Sequence, residues 1–183
     1  MIGIVVVSHS HALGEAAAGL AVEMVPEEAR PRLQIAAGLD ETTFGTDAAA
    51  IAEAIEAVDS GDGVLVVVDL GSAILSAEMA LEFIDTDVAA RTRISSGALV
   101  EGLIAAVVTA STGEELDDVF AESVNGLMAK QEQLRDYSSE QESSDGVEQA
   151  CLGGIPPHLT RIACSDPPSV GYPPAGRGPR IIN

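Results

Sequence analysis

The residues of this 183-residue chain best suited to chemistry fall in two short stretches. Ser8-His9-Ser10-His11 ends an apolar run from Ile2 to Val7, and Asp69-Leu70-Gly71-Ser72 ends a second run, Val64 to Val68. Imidazole changes charge near neutral pH, so its unprotonated ring can attack a phosphoryl group. A carboxylate that accepts a hydrogen bond from one ring nitrogen would fix the tautomer and leave the other nitrogen as nucleophile. It would also stabilise the positive charge that develops on the ring. His9 is the candidate nucleophile and Asp69 its candidate orienting group. Gly71 and Ser72, at the start of a helix, would turn backbone N–H groups toward the phosphate, with Leu70 and Ser10 as further contacts. A lone histidine at a strand end is more commonly a surface or capping residue, and Asp-x-Gly-Ser at a second strand end is what lifts His9 above that background. His11 has the weaker claim, because it begins the helix that follows.

Other chemistries fit less well. Ser8 and Ser10 lack the strained Gly-x-Ser-x-Gly elbow of a hydrolase and read as loop or phosphate-contact residues. No Gly-x-x-x-x-Gly-Lys-Ser/Thr loop is present to hold a nucleotide. A response-regulator receiver would need paired acids after the first strand as well as an aspartate after the third, and only Asp69 fits.

The elements that must bring His9 and Asp69 together are legible in the apolar pattern. Ile2–Val7 and Val64–Val68 are nearly continuous β-branched runs, the signature of strands buried on both faces. Leu33–Ala37 is a weaker strand, and a short one is marked around 92–95. Leu13, Ala16, Ala17, Leu20, Ala21 and Met24 recur at helical spacing and stop at Pro26. Thr46-Asp47 offers a cap to a helix carrying Ala48, Ile51, Ala52, Ile55 and Val58. Ser72 to Ile84 is a third helix, and Val100, Leu103, Ile104, Val107 and Val108 mark a fourth. Thr112 and Glu115 have the spacing of a capping box and are expected to open a last helix carrying Leu116, Val119, Phe120, Val124, Leu127 and Met128.

Strand and helix alternate four times, which predicts an α/β fold: a doubly wound, mainly parallel sheet of four or five strands with helices on both faces. With the common strand order 2-1-3-4, the first and third strands are neighbours. Ligands of such sheets bind beyond the carboxyl ends of the strands where the order reverses, which puts His9 and Asp69 in one crevice.

Composition narrows the partners. A formal net charge of -20 argues against nucleic acid and anionic membrane surfaces, since phosphate contacts need clustered Lys and Arg. No segment has the ~18 consecutive apolar residues of a membrane span, and the short N-terminal run lacks a basic leader, so a cytoplasmic protein is expected. Cys151 and Cys164 match neither a zinc site nor a disulfide scaffold, and no metal site is expected. The folded domain is expected over residues 1–134, followed over 135–183 by a polar linker and a disordered Pro/Gly-rich tail. The tail composition is also what a slipped reading frame would produce.

At these residues the sequence resembles the enzyme IIA domain of the mannose family of the bacterial phosphotransferase system. Within that family it is more similar to the branch that serves as the phosphoryl-carrying subunit of dihydroxyacetone kinase. Val5 to Ser10 carries the likeness, with Ala36 to Asp40, Phe44 to Asp47, and Val68 to Glu78; Leu99 to Gly102 adds a weaker match. Together these span roughly the first 130 residues. Sugar-transporting relatives carry a double glycine and a Ser-Pro after the aspartate, whereas Gly71-Ser72-Ala73 and Ser76-Ala77-Glu78 look like the dihydroxyacetone branch. The resemblance implies phosphorylation of His9 on Nε2 by the phosphocarrier HPr. Transfer would follow to ADP on a second subunit, DhaL, working with DhaK, which holds dihydroxyacetone. ADP and magnesium would then belong to the partner, and this chain would need no cofactor. Asp69 would match the aspartate that orients the histidine, and Thr46 and Asp47 a motif near the site. Such relatives are usually homodimers, and some continue into an HPr-like domain, of which the tail carries no sign. A sugar-transport IIA component, and a non-enzymatic α/β module in which His9 is merely a cap, are the competing readings.

Overall fold

Val, Ile and Leu dominate the strands so heavily that both faces of the sheet must be covered. In the computed structural model, which describes residues 1–135, β1 (Gly3–Ser8) and β3 (Val64–Val68) are buried at every position. They lie at the centre of a four-stranded sheet of order β2-β1-β3-β4, with β2 at Leu33–Ala37 and β4 at Thr92–Ser95. Every pairing is parallel, with Val7 opposite both Ala36 and Val68. The expected strand order and fold class are therefore the observed ones.

The helices form two layers. One face of the sheet carries α2 (Ala48–Val58), α3 (Gly71–Leu81) and the short α4 (Thr86–Ala90) over Val5, Val7, Val64, Val66 and Val68. The other carries α1 (His11–Val22), α5 (Leu99–Ser111) and α6 (Leu116–Asn125) over Ile4, Val6, Leu65 and Val67. A helical stretch resumes over 128–135.

Three expectations change. The buried face of α1 is Gly14, Ala17, Ala18 and Ala21, while Leu13, Leu20 and Met24 point outward. In α5 the buried set is Gly102, Leu103, Ala106, Val107 and Ala110, with Val100 and Val108 exposed. The physical reason is steric: the strands already supply bulky branched side chains, so small residues let the helices settle against them. The Thr112–Glu115 capping box is also absent. Thr112 caps the end of α5, its hydroxyl donating to the Thr109 carbonyl, and Gly113 (φ 85°) turns the chain so that α6 starts only at Leu116. Finally, α4 was not anticipated; its one local signal is Asp85, whose carboxylate accepts from the Asp87 N–H.

The linker and tail expected over 135–183 lie, from residue 136 on, outside the described residues. None of the helices among the described residues is long and apolar enough to cross a membrane.

A close approach of α5 to α6 tests this packing. A Cβ on Gly102 would come within 2.6 Å of the Ser123 carbonyl oxygen, a backbone atom that cannot swing away. Gly102→Ala is expected to lower the unfolding free energy by about 1–3 kcal/mol in urea titrations, despite the better helix propensity of alanine.

Candidate functional site

The parallel sheet delivers the carboxyl ends of β1 and β3 side by side, so the two expected stretches meet. His9 follows β1 and Asp69 follows β3, and the Asp69 N–H donates to the Val7 carbonyl at 3.2 Å. His9 Nδ1 lies 2.9 Å from Asp69 Oδ1. Because a carboxylate only accepts, Nδ1 carries the proton in the neutral ring, and Nε2 is then the nitrogen with the free lone pair. The Ser72 hydroxyl, at the first turn of α3, lies 2.8 Å from that free Nε2 and donates to it.

Asp69 is held from four directions. Besides the imidazole, its carboxylate accepts from the His9 N–H (2.8 Å), the Ser8 hydroxyl (3.0 Å) and the Leu70 N–H (2.7 Å). Its side chain is only 9 % exposed. Burial by itself pushes the carboxyl up and is the largest single effect. The hydrogen bonds from the His9 backbone, the His9 ring, Ser8 and Leu70 together outweigh it, and hold the group below the usual carboxylate range.

The expected phosphate contacts divide. Ser72 touches the reactive nitrogen, and the Gly71 and Ser72 backbone N–H groups, at the open start of α3, have no acceptor among the described residues. A Cβ on Gly71 would meet nothing within 4 Å, so the space above the helix end is open. Leu70, by contrast, gives its N–H to Asp69 and is an orienting contact, not a phosphate donor. Ser10 caps α1, its hydroxyl accepting from the Leu13 N–H. Ser8, read from sequence as a loop or phosphate-contact residue, is the last residue of β1, fully buried and committed to Asp69. Ser8 and the Leu70 N–H are thus engaged by the Asp69 carboxylate, and Ser10 by the backbone of its own helix.

His11 begins α1 as expected and turns away, with Nδ1 at 3.2 Å from the Ala37 carbonyl and Nε2 near Glu15. Asp47 caps α2 through the Ala49 N–H. Thr46 reaches instead to Ser76 on α3, hydroxyl to hydroxyl at 2.7 Å. Sequence reasoning missed that pairing, because thirty positions separate two residues with no individual signal.

The rim is apolar and acidic. Leu39, Phe44 and Leu70 are exposed around it, at 58 %, 75 % and 60 %. Arg32 and Arg91 directly precede β2 and β4 at the opposite sheet edge, while Arg30 pairs with Glu23, Arg93 with Asp117 and Lys130 with Glu101. Among the described residues no three His, Cys, Asp or Glu side chains converge as metal ligands.

Because the folded-state acidity of Asp69 is strengthened, its contribution to stability is complete above about pH 4 and is lost as pH falls through the lowered folded value. The stability gap between wild type and Asp69→Asn, measured by urea titration, is therefore expected to be flat from pH 7 to about 5 and to close in more acidic solution.

Residues 3–120 match the EIIA-man family model, described as the fructose IIA component of the phosphotransferase system. The chain is 45% identical over 147 residues to the DhaM phosphoryl donor subunit of PEP-dependent dihydroxyacetone kinase from Escherichia coli strain K12, covering 79% of this chain and 31% of that one. It is 35% identical over 125 residues to DhaM of the second such kinase of Listeria innocua, covering 68% of this chain and 98% of the relative. The chain thus spans about a third of the length of the enterobacterial relative and nearly all of the shorter one. Among solved structures, the protein of unknown function EF1359 aligns with a TM-score of 0.58 at 29% identity, over 68% of this chain and 93% of its own. An EIIA component from Streptococcus agalactiae aligns at 0.51 and 19% identity, over 71% and 95%, and shares the fold. This chain belongs to the EIIA-man family of phosphotransferase-system IIA components, alongside the DhaM phosphoryl donor subunits.

Proposed function

We propose that this chain is a phosphohistidine carrier that takes a phosphoryl group on His9 Nε2 from HPr and passes it to ADP bound on DhaL, for phosphorylation of dihydroxyacetone in concert with DhaK. The observation that carries the reading is the divided imidazole. One nitrogen is bound to a part-buried carboxylate; the other meets the Ser72 hydroxyl and faces a helix N-terminus. A histidine serving merely as a cap would need neither arrangement.

In the transfer, the Nε2 lone pair forms a bond to phosphorus as the bond from phosphorus to the donor nitrogen breaks, and that bonding pair leaves with the donor ring. Nδ1 keeps its proton throughout, so the His9 ring becomes formally cationic and Asp69 stabilises it electrostatically. The Ser72 hydroxyl, which donates to Nε2 at rest, turns to donate to a phosphoryl oxygen, joined by the Gly71 and Ser72 N–H groups at the positive end of the α3 dipole. Passing the group on to ADP reverses these steps. ADP and magnesium belong to the acceptor subunit in this reading, and the chain itself needs no cofactor. The exposed Leu39, Phe44 and Leu70 suit a protein face docking over the site, and none of the clefts formed around Asp62 and Leu116, Val108 and Lys130, or Glu15 and Ile35 includes His9. A cytoplasmic homodimer is part of the same proposal.

Incubation with enzyme I, HPr and phosphoenolpyruvate should give an acid-labile, base-stable phosphate on the wild type and none on His9→Ala. Phosphate retained by His9→Ala and lost in His11→Ala would move the site. Discharge by DhaL with ADP is expected; discharge only by a IIB component would make the chain a sugar-transport protein. Ser72→Ala should keep the fold and slow the transfer on the order of tenfold, read by quenched-flow labelling, since it loses one phosphate contact and keeps the two N–H groups.

A further inference from the structure

We propose that Thr46 and Ser76 form a latch that positions His9, clamping the loop over the site to the helix that holds the phosphate cradle. The inference rests on His9 being the phosphoryl acceptor. The segment from Gly38 to Asp47 crosses the carboxyl edge of the sheet between β2 and α2, and its contacts fall into two sets.

The first set stiffens the loop internally. The Leu39 N–H donates to the Thr43 carbonyl at 2.9 Å. The Asp40 carboxylate accepts from the N–H and hydroxyl of both Thr42 and Thr43, at 2.7–2.9 Å. Those bonds, the Thr42 N–H foremost, hold the Asp40 carboxyl far below the usual range. A loop braced in this way moves as a unit, so its anchors decide where it sits.

The second set is those anchors. The Gly38 N–H donates to the Ser8 carbonyl at 3.0 Å and the Gly45 N–H to the His9 carbonyl at 2.9 Å. One loop therefore fixes two successive carbonyls at the end of β1. Gly38 (φ 71°) and Gly45 (φ 150°) hold backbone conformations that side-chain-bearing residues rarely adopt, which lets both N–H groups turn inward. The third anchor is the 2.7 Å hydroxyl pair of Thr46 and Ser76, partly buried.

Its place on α3 gives the pair its meaning. Ser76 is one turn beyond Ser72, at i+4 on the same side of the helix. Two rungs thus run from the end of β1 to one side of α3: His9 Nε2 to Ser72, and the His9 carbonyl through Gly45 and Thr46 to Ser76. The second rung sets the spacing of the first. Thr46 and Ser76 touch no reacting atom, and they act as positioning residues. A displacement of about 1 Å in a reacting pair costs on the order of a hundredfold in rate, so loss of one partly exposed anchor should cost about tenfold.

The test uses phosphoramidate, which phosphorylates imidazole without a carrier protein and so separates positioning from docking. Thr46→Val and Ser76→Ala should each be about tenfold slower than wild type. The double variant should be no slower than either single variant, and Thr46→Ser should regain most of the rate. With phosphorylated HPr as donor, the loss should appear in the saturating rate and not in KM. The 15N resonance of His9 Nε2, followed without any donor, should move in Thr46→Val and Ser76→Ala toward that of an imidazole nitrogen that accepts no hydrogen bond, while Nδ1 keeps its proton on Asp69.

Wild-type rates and unchanged ring spectra in both single variants would overturn the latch, as would a double variant whose loss is the product of the two. Should Thr46→Val fail to fold, Ser76→Ala decides alone, since alanine is favourable at that helical position. A wild-type chain that takes no phosphate on His9 would instead sink the carrier reading, while the ring spectra still judge the latch.

Discussion

Four hydrogen bonds converge on the carboxylate of Asp69, and through them the ends of β1 and β3 and the start of α3 become one rigid corner. The arrangement needs a parallel pair in register, because both strands must end at the same edge with Val7 opposite Val68. It also needs burial, which raises the worth of each bond by excluding water. The carboxylate remains charged in that setting because its donors outweigh the cost of desolvation. The histidine thereby acquires a fixed tautomer before any substrate arrives, so the chemical step requires little reorganisation.

The helical layers serve this corner by keeping out of its way. Alanine-rich faces on α1 and α3 let those helices lie close on a sheet of branched residues, while Leu13, Leu20, Leu75, Met79 and Phe83 are left outside. The same economy leaves Leu39, Phe44 and Leu70 exposed beside His9. Arg32 and Arg91, which lead into β2 and β4, stand at the far edge of the sheet from His9.

The amino-acid sequence by itself determined the alternation of strands and helices, the buried β-branched runs, the strand ends where His9 and Asp69 stand, and the glycine that opens α3. These are local matters of periodicity and side-chain shape, and the strand order is the common one for such alternating units. Only the tertiary structure decided which polar groups are engaged. Ser8 and the Leu70 N–H go to Asp69, Ser10 goes to its own helix, and Thr46 goes to Ser76. It likewise decided which side of α1 and α5 faces inward, because an alanine stripe becomes the better buried face only once a bulky sheet lies beneath it. Hydrogen-bond partners and contact volumes belong to pairs of residues far apart in the chain, and no single stretch of sequence encodes them.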